Sequence, residues 1–337
     1  MRTILVTGTA GFIGFHLARF LIGEGFRVVG IDSMSDYYDP ELKRRRHDLL
    51  REANAFSAEE FDILDFERLR SFVSNANPEA IVHLAAQAGV RFSLTAPRAY
   101  VETNIVGTFN IMECARERGI DHLLMASTSS VYGANTDLPY AETHSADTPL
   151  TIYAASKKAN EVMAHSYAHL WNVPTTIFRF FTVYGPWGRP DMALFRFTKG
   201  IIEDTPIDIY NHGEMWRDFT YVADLVRAIR LLIDTPPARP AARDEIAAGD
   251  SLSPAAPFRI VNIGNGQSVR LEEFIDALEQ AIGKCAIRNY MDIQPGDVPA
   301  TWADSSLLQT LTGYSPQTDV REGVQHFVDW YREYYAI

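Results

Sequence analysis

A tyrosine and a lysine four residues apart, Tyr153 and Lys157, are the side chains whose spacing points most directly to chemistry. On a helix, residues four apart share one face, so the ammonium group would lie beside the phenol. A nearby positive charge favours the phenolate, which can take a proton from an alcohol while a hydride leaves the same carbon. Residues 127–130 supply four hydroxyl groups directly after a predicted strand, and one of them can bridge the tyrosine and a substrate oxygen.

Three glycines, Gly8, Gly11 and Gly14, separate the apolar segment at residues 3–7 from a predicted helix. The first would make a tight turn, the second would let backbone amides approach a pyrophosphate, and the third would let the helix pack closely on the sheet. The start of the helix adds unpaired N–H groups and the positive end of its dipole. The spacing therefore predicts a dinucleotide site whose binding residues are Gly8, Gly11, Phe12, Ile13 and Gly14.

Asp32 indicates which dinucleotide is bound. It ends the second predicted strand, 24 residues after Gly8, where a carboxylate accepts hydrogen bonds from the adenosine ribose and would repel a 2′-phosphate. Because Ser33 and Met34 follow, and no arginine, the sequence favours NAD over NADP. We interpret the basic cluster at residues 43–46 as a solvated helix face, with contact to an anion as the alternative.

Apolar segments that alternate with helical patterns predict βαβ units, and hence a parallel sheet with right-handed crossovers. The expected fold class is α/β: a Rossmann-type doubly wound parallel sheet with a smaller C-terminal substrate-binding lobe. The predicted strands are residues 3–7, 27–31, 80–84, 122–126 and 173–180, and the predicted helices are residues 11–24, 67–75, 99–118 and 154–170.

The sequence changes in character after about residue 185, where glycine and proline separate short elements. We expect residues 1–185 to form the dinucleotide-binding domain and residues 186–337 to form most of the smaller lobe. A segment near residues 220–265 is expected to return to the first domain. Residues 234–257, which are rich in Pro and Ala, predict a surface loop or a mobile insertion.

Composition narrows the class of partner. The 337 residues carry 31 Lys and Arg against 43 Asp and Glu, a net charge of −12, which argues against nucleic acid as a partner. The two cysteines, Cys114 and Cys285, are far apart and predict buried, reduced thiols and no metal site. No apolar stretch has the length of a membrane span and the N-terminus lacks the pattern of a signal peptide, so we expect a cytoplasmic protein without a membrane partner.

These motifs together resemble those of the extended short-chain dehydrogenase/reductases of the nucleotide-sugar epimerase and dehydratase group. The resemblance runs from GTAGFIG through STSSVYG and YAASK to RDFTYVAD, and so covers nearly the whole chain. It implies a catalytic triad of Thr128, Tyr153 and Lys157. It also implies cofactor contacts by Asp62, Ile63, Ala85, Ala86 and Asn104, a diphosphate contact by Arg217 and a contact of Asp297 with the ribose of the uridine.

Two residues indicate which sugar is bound. Thr182 stands where many sugar-nucleotide epimerases have an asparagine, and Arg189 follows it closely. With QAGVRFS and YNHGEM, this segment is similar to that of UDP-glucuronate 4-epimerases, which form UDP-galacturonate through a 4-keto sugar. A 4-keto uronate is a β-keto acid, which loses carbon dioxide when its carboxylate bond aligns with the ketone. We therefore expect Arg189 and Thr182 to hold that carboxylate, with Arg91 as a further candidate.

Several alternatives to uronate epimerisation stay open. Decarboxylation to UDP-xylose shares the first step, and 4-epimerisation of a neutral UDP-hexose would need no carboxylate clamp. A dehydratase fits less well, because Ser129 and Ser130 stand where related dehydratases carry an acidic pair, and a non-catalytic NAD sensor would not need the triad. The resemblance also implies a homodimer that pairs through residues 99–118 and 154–170.

Overall fold

The computed structural model describes all 337 residues, Met1–Ile337. The strands, numbered along the chain, are β1 (Thr3–Thr7), β2 (Arg27–Asp32), β3 (Phe56–Glu60), β4 (Ala80–His83), β5 (His122–Thr128), β6 (Thr175–Phe180), β7 (Thr182–Tyr184), β8 (Ile207–Tyr210), β9 (Trp216–Arg217), β10 (Phe219–Tyr221), β11 (Phe258–Ile263), β12 (Val269–Arg270), β13 (Arg288–Met291) and β14 (Ala300–Thr301). The helices are α1 (Phe12–Gly23), α2 (Pro40–Arg51), α3 (Phe66–Ala76), α4 (Phe92–Thr95), α5 (Pro97–Tyr100), α6 (Thr108–Arg118), α7 (Ile152–Trp171), α8 (Ala193–Ile202), α9 (Val222–Ile233), α10 (Leu271–Ile282), α11 (Ser306–Thr312) and α12 (Val320–Tyr335).

Seven parallel strands form the central sheet in the order β11–β6–β5–β4–β1–β2–β3. The chain begins at β1, moves outward to β3 and then crosses to β4 on the other side of β1. Ligands of open α/β sheets bind where the strand order reverses in this way, beyond the carboxyl ends of the strands. The turn at Gly8, after β1, and the turn at Thr128, which ends β5, both lie at that edge. The prediction of a doubly wound α/β fold is confirmed.

Helices cover both faces of the sheet, so its inner strands β1, β4, β5 and β6 are almost entirely buried. One buried layer includes Phe15 and Leu17 of α1 and Ile229 of α9. The other includes Leu69 of α3 and Ile111 of α6. Burial of these apolar side chains is the main force that holds the helices on the sheet.

The smaller lobe contains three short sheets and the helices α8, α10 and α12. The sheets pair β10 with β7, β9 with both β12 and β14, and β13 with β8. An aromatic core that includes Phe195, Phe274 and Phe327 joins the three helices. The chain returns to the large sheet as β11, which runs parallel to β6. The domain boundary near residue 185 stays a prediction.

Two elements of the main domain differ from the sequence-based expectation. Strand β3 is not predicted, because Phe56 is its only fully buried residue and the rest of FSAEE is polar or small. It tolerates these residues because it is the edge strand beyond β2. The helix predicted over residues 99–118 is interrupted by a π-helical segment, Val101–Gly107, between α5 and α6.

The interpretation of residues 43–46 as a solvated helix face is wrong. Arg44 and Arg45 are exposed, but Lys43 and Arg46 are only 5% and 0% exposed. The inward side chains are three residues apart on α2 and therefore share one face. Hydrogen bonds compensate for their burial: Lys43 donates to Ser35 O, eight residues away, and Arg46 donates to Ala10 O and Trp187 O. The distant partners of Arg46 cannot be inferred from the local sequence.

The remaining expectations concern the surface. Residues 234–257 form the predicted surface loop, which contains a single 3₁₀ turn at Arg243–Glu245. The prediction of two buried cysteines holds for Cys114, but Cys285 is exposed because it lies beyond the end of α10. No helix combines the length and the apolar character needed to cross a membrane.

Candidate active site

A cavity of about 810 Å³ opens along the carboxyl ends of the central strands and continues into the smaller lobe. It brings together all but one of the residues that the sequence assigns to the site, although they come from distant parts of the chain. The predicted residues that line it are Gly8, Gly11, Phe12, Ile13, Gly14, Asp32, Asp62, Ile63, Ala85, Ala86, Arg91, Thr128, Tyr153, Lys157, Thr182, Arg189, Arg217 and Asp297.

The glycine-rich turn at one end of the cavity depends on the absence of side chains. Gly8 has a φ of +77°, in the left-handed region that favours glycine. A Cβ atom on Gly14 would lie 2.0 Å from the carbonyl oxygen of Gly8, so only glycine lets α1 approach β1 this closely. The first N–H groups of α1 therefore face the cavity without side chains in between. This cradle fits the pyrophosphate of a dinucleotide.

Asp32 stands beside this turn. Its two carboxylate oxygens accept hydrogen bonds from the backbone N–H groups of Ala10 and Met34, each at 2.9 Å. A carboxylate has further lone pairs, so Asp32 can also accept hydrogen bonds from the two hydroxyl groups of a ribose. The fixed negative charge fits NAD and opposes the additional phosphate of NADP.

Asn104 is the predicted site residue that does not line the cavity. It is fully buried in the π-helical segment, where its amide oxygen accepts from Gln87 N at 2.8 Å. Its amide nitrogen donates to Gln87 O and to Ser156 Oγ. The predicted cofactor contact is therefore corrected: Asn104 ties the loop after β4 to α7, the helix that carries Tyr153 and Lys157.

Tyr153 and Lys157 lie near the start of α7, which is capped by the side chain of Thr151. Lys157 Nζ donates to the carbonyl oxygen of Ala126 at 3.0 Å, and burial lowers the pKa of its ammonium group to about 8. Burial raises the pKa of Tyr153, whereas the Thr128 hydroxyl and the charge of Arg189 act in the opposite direction. The pKa of Tyr153 is raised overall, so the hydroxyl group and the cation offset only part of the cost of a buried phenolate.

Among the neighbouring hydroxyl groups of residues 127–130, the structure distinguishes Ser127 from Thr128. Ser127 also lines the cavity, but it is buried and its hydroxyl donates to Glu161 Oε1 at 2.6 Å, so that hydroxyl is already engaged. Thr128, at the end of β5, lines the cavity and accepts from the backbone N–H of Ser130 at 3.2 Å. This geometry supports Thr128, and not Ser127, as the hydroxyl that acts with Tyr153.

A buried ion pair beneath the triad is absent from the sequence-based assignment. Glu161 accepts from Arg179 Nε at 3.0 Å and from Nη2 at 2.8 Å, and both side chains are 2% exposed. Glu161 lies one turn beyond Lys157 on α7, whereas Arg179 belongs to β6. The four-residue spacing of Tyr153, Lys157 and Glu161 could have indicated that all three share a face, but only the fold places Arg179 opposite.

The cavity wall next to the triad carries Thr182 and Arg189, as predicted. The guanidinium of Arg189 is paired with Asp191, at 3.0 Å from Nε and 2.5 Å from Nη2, and Tyr37 also donates to this carboxylate. This pairing adds Asp191 to the predicted residues of the wall. It fixes one edge of the guanidinium and leaves Nη1 without a protein partner.

The far end of the cavity is lined by groups that suit a nucleotide. Arg217 forms no ion pair, and its guanidinium donates to the carbonyl oxygens of Trp216 and Pro299. A largely enclosed cation without an acidic partner can bind a diphosphate. Arg91 pairs with Asp297 at 3.2 Å and lies 4.2 Å from the ring centroid of Tyr210. Arg91 thus stands on the nucleotide side of the cavity, and its predicted contact with a carboxylate stays a prediction.

Comparison with known proteins agrees with this arrangement. Residues 4–247 match the family described as the NAD dependent epimerase/dehydratase family. The chain belongs to that family. It is 54% identical to a probable UDP-glucuronate 4-epimerase of Rhizobium meliloti (strain 1021), over 98% of this chain and 97% of the relative.

Solved structures show the same fold over the whole chain. A Bacillus cereus UDP-glucuronic acid 4-epimerase, in complex with UDP-glucuronic acid and NAD, aligns with a TM-score of 0.88 at 33% identity, over 99% of this chain and 100% of that one. A UDP-glucose 4-epimerase of Thermotoga maritima aligns with a TM-score of 0.84 at 27% identity, over 99% of both chains. The family resemblance that the motifs imply is confirmed.

Proposed function

We propose that this chain of the NAD dependent epimerase/dehydratase family interconverts UDP-glucuronate and UDP-galacturonate, with NAD as the cofactor. The observation that carries the proposal is the continuity of the cavity, in which the glycine-rich cradle, the Tyr153 triad and the Thr182–Arg189 wall meet. The relatives with the same fold include enzymes named for this reaction.

Tyr153, Thr128 and Lys157 have different roles in the reaction at C4 of the sugar. Tyr153, as the phenolate, takes the proton of the C4 hydroxyl group, and Thr128 orients that hydroxyl group. Lys157 keeps a positive charge next to the phenolate and can hold a ribose hydroxyl group of the cofactor. Bound NAD supplies the hydride acceptor, and later the donor, at C4. Rotation of the 4-keto sugar before the hydride returns inverts the configuration at C4. The Thr182–Arg189 wall must therefore bind the sugar without blocking this rotation.

The carboxylate of the uronate explains why the Thr182–Arg189 wall offers a cation and a hydroxyl group. In the 4-keto sugar, cleavage of the C5–C6 bond would release carbon dioxide and leave its electron pair as an enolate. Nη1 of Arg189 and the Thr182 hydroxyl can hold the carboxylate in the plane where this cleavage is disfavoured. These contacts favour a 4-epimerase over the alternative of a decarboxylase. A neutral UDP-hexose would leave the Arg189 edge without a partner, which disfavours that alternative as well.

The proposed function is tested by incubating the purified protein with UDP-glucuronate, without added cofactor, and recording proton NMR spectra of the sugar. We expect a mixture of UDP-glucuronate and UDP-galacturonate, which requires retained NAD. Formation of UDP-xylose or a 4-keto pentose would favour a decarboxylase. An unchanged spectrum, also after NAD is added, would contradict the proposal and direct the test to neutral UDP-hexoses or to a non-catalytic NAD sensor.

Replacement of Arg189 tests whether the Thr182–Arg189 wall holds the carboxylate of the substrate. In Arg189→Gln, we expect the share of decarboxylated product to rise about tenfold or more, because a charge-assisted hydrogen bond contributes about 1.5–3 kcal/mol. The measurement is the ratio of UDP-galacturonate to decarboxylated sugars by NMR, with the retained NAD and the melting temperature as controls. The same ratio as in the wild-type protein would remove Arg189 from this role.

We also propose that the protein is a homodimer that pairs through α6 and α7 and the π-helical segment. Several large apolar side chains on these helices are exposed, among them Val162 (58%) and Leu170 (64%). Phe109 and Trp171 belong to the same exposed set. A second copy would cover this surface through a two-fold axis. Light scattering should give twice the 37.9 kDa mass of one chain, and a monomer at micromolar concentration would contradict the proposal.

A cytoplasmic location, with the product used in polysaccharide biosynthesis, completes the proposal. The free thiols of Cys114 and Cys285 support a reducing compartment. Cell fractionation with an antibody to the protein would test the location directly.

A further inference from the structure

The loop that carries Arg189 into the cavity is held by the cofactor-binding half of the molecule. Its three preceding residues, 186–188, present successive carbonyl groups to side chains of α1 and α2. His16 Nε2 lies 2.8 Å from the first carbonyl oxygen, and Arg46 Nη2 lies 2.6 and 3.3 Å from the second and third. A side chain from outside the smaller lobe therefore fixes the backbone next to Arg189.

The other edge of the same guanidinium reaches the dinucleotide cradle. Arg46 Nη1 donates to the carbonyl oxygen of Ala10 at 2.8 Å and to the hydroxyl group of Tyr38 at 2.7 Å. Ala10 immediately precedes Gly11 of the glycine-rich turn, and its N–H group is bonded to Asp32. One planar group thus spans the cradle and the Arg189 loop, which lysine, with a single nitrogen, cannot do.

Stability alone gives little reason for this arginine. Arg46 is fully buried, forms no ion pair, and its Nε has no hydrogen-bond partner. A buried guanidinium balanced only by carbonyl groups and a hydroxyl group is costly compared with an apolar side chain of similar volume. On the exposed side, Tyr37 donates to Asp191 at 3.2 Å and so forms a second contact between the segment before α2 and the Arg189 loop. Asp191 in turn pairs with Arg189 itself.

We propose that Arg46 is a positioning residue that sets Arg189 relative to the dinucleotide cradle, and that it thereby controls whether the 4-keto uronate is reduced or decarboxylated. This inference rests on the proposed function. When the Arg189 loop shifts, the carboxylate is no longer held away from alignment with the C4 ketone. The C5–C6 bond then breaks, carbon dioxide leaves, the electron pair forms an enolate, and C5 takes a proton from solvent.

The test compares Arg46→Lys with Arg45→Lys, an exposed neighbour on the same helix. Each variant is incubated with UDP-glucuronate, and NMR gives the ratio of decarboxylated sugar to UDP-galacturonate. We expect this ratio to rise about tenfold in Arg46→Lys, in line with the loss of a fork of hydrogen bonds at unchanged charge, and to stay at the wild-type value in Arg45→Lys. Retained NAD and the melting temperature are recorded for each.

Two results would separate the failure of this inference from other failures. If the wild-type protein forms no UDP-galacturonate, the proposed function is wrong, and the role of Arg46 inferred from it is wrong as well. If the wild-type protein epimerises but Arg46→Lys loses activity without any change in the product ratio, Arg46 is only structural. Should Arg46→Lys not fold, Tyr38→Phe removes one contact of the same guanidinium and must raise the ratio as well, and an unchanged ratio there overturns the inference.

Discussion

Tyr153→Phe should lower kcat for UDP-glucuronate about 10²- to 10⁴-fold, since the variant loses the group that takes the C4 hydroxyl proton. The phenyl ring keeps its packing against Tyr100, whose ring centroid lies 6.0 Å away. Thr128 and Lys157 remain in place, but neither can take over. Threonine is far too weak a base, and Lys157 Nζ is already directed at Ala126 O.

The measurement is steady-state epimerisation, followed by NMR, together with the amount of NAD that copurifies. The KM for UDP-glucuronate should change little, because the nucleotide is held at the other end of the cavity, where Arg217 lies. Tyr335→Phe, which removes a hydroxyl group from an exposed tyrosine of α12, is the matched control. A wild-type kcat in Tyr153→Phe would refute the assignment of the base.

Much of the fold follows from local patterns in the sequence. The segment TILVT and the glycines after it predict β1, the turn and α1, because burial on both faces and close packing restrict these positions to apolar residues and glycine. β3 is not predicted because an edge strand is half exposed, so polar residues are tolerated and its composition is not distinctive. Helix α7 is predicted to within two residues at its start, where Thr151 supplies the cap.

Sequence motifs predict the site less completely than the fold, for a different physical reason. Gly14, Asp32 and Lys157 follow motifs whose spacing is fixed by one turn or one strand, and the structure places them on the cavity. The role of Arg46 depends on a partner more than 100 residues away. Asp191 lies only two residues from Arg189, but its contact with Tyr37 comes from a distant part of the chain. Whether a charged residue is exposed or buried with partners depends on the tertiary fold, so local sequence cannot decide it.

Glu161→Leu should lower the free energy of unfolding by about 3–5 kcal/mol, because it leaves the charge of Arg179 buried without compensation. Removal of Arg179 costs less, because Glu161 still lies 3.6 Å from Lys158 Nζ. In Glu161→Leu, the guanidinium of Arg179 loses both of its charge-assisted hydrogen bonds. It keeps only its contact with the ring of Tyr132, 4.6 Å from its Cζ atom. Ser127 also loses the acceptor of its hydroxyl group.

The double variant Glu161→Leu/Arg179→Met should be more stable than either single variant, since apolar side chains of similar volume avoid the desolvation of both charges. Urea unfolding of the four proteins, at equal protein and NAD concentrations, gives the coupling energy of the pair. If the effects of the two single replacements simply add in the double variant, the pair is not coupled, and the structural basis of the prediction is wrong.

Activity should not recover together with stability. Glu161 holds Ser127, the residue before Thr128, against the helix that carries Tyr153, so the ion pair sets the distance between the hydroxyl group and the base. We expect the double variant to fold well and still show a kcat reduced about tenfold, because small displacements of reacting groups are costly. The decisive comparison is kcat in the double variant and in the wild-type protein at a temperature where both are fully folded. Full activity there would mean that the ion pair stabilises the fold without positioning Thr128, whereas a reduced kcat would show why this enzyme keeps a charge pair where an apolar core would be more stable.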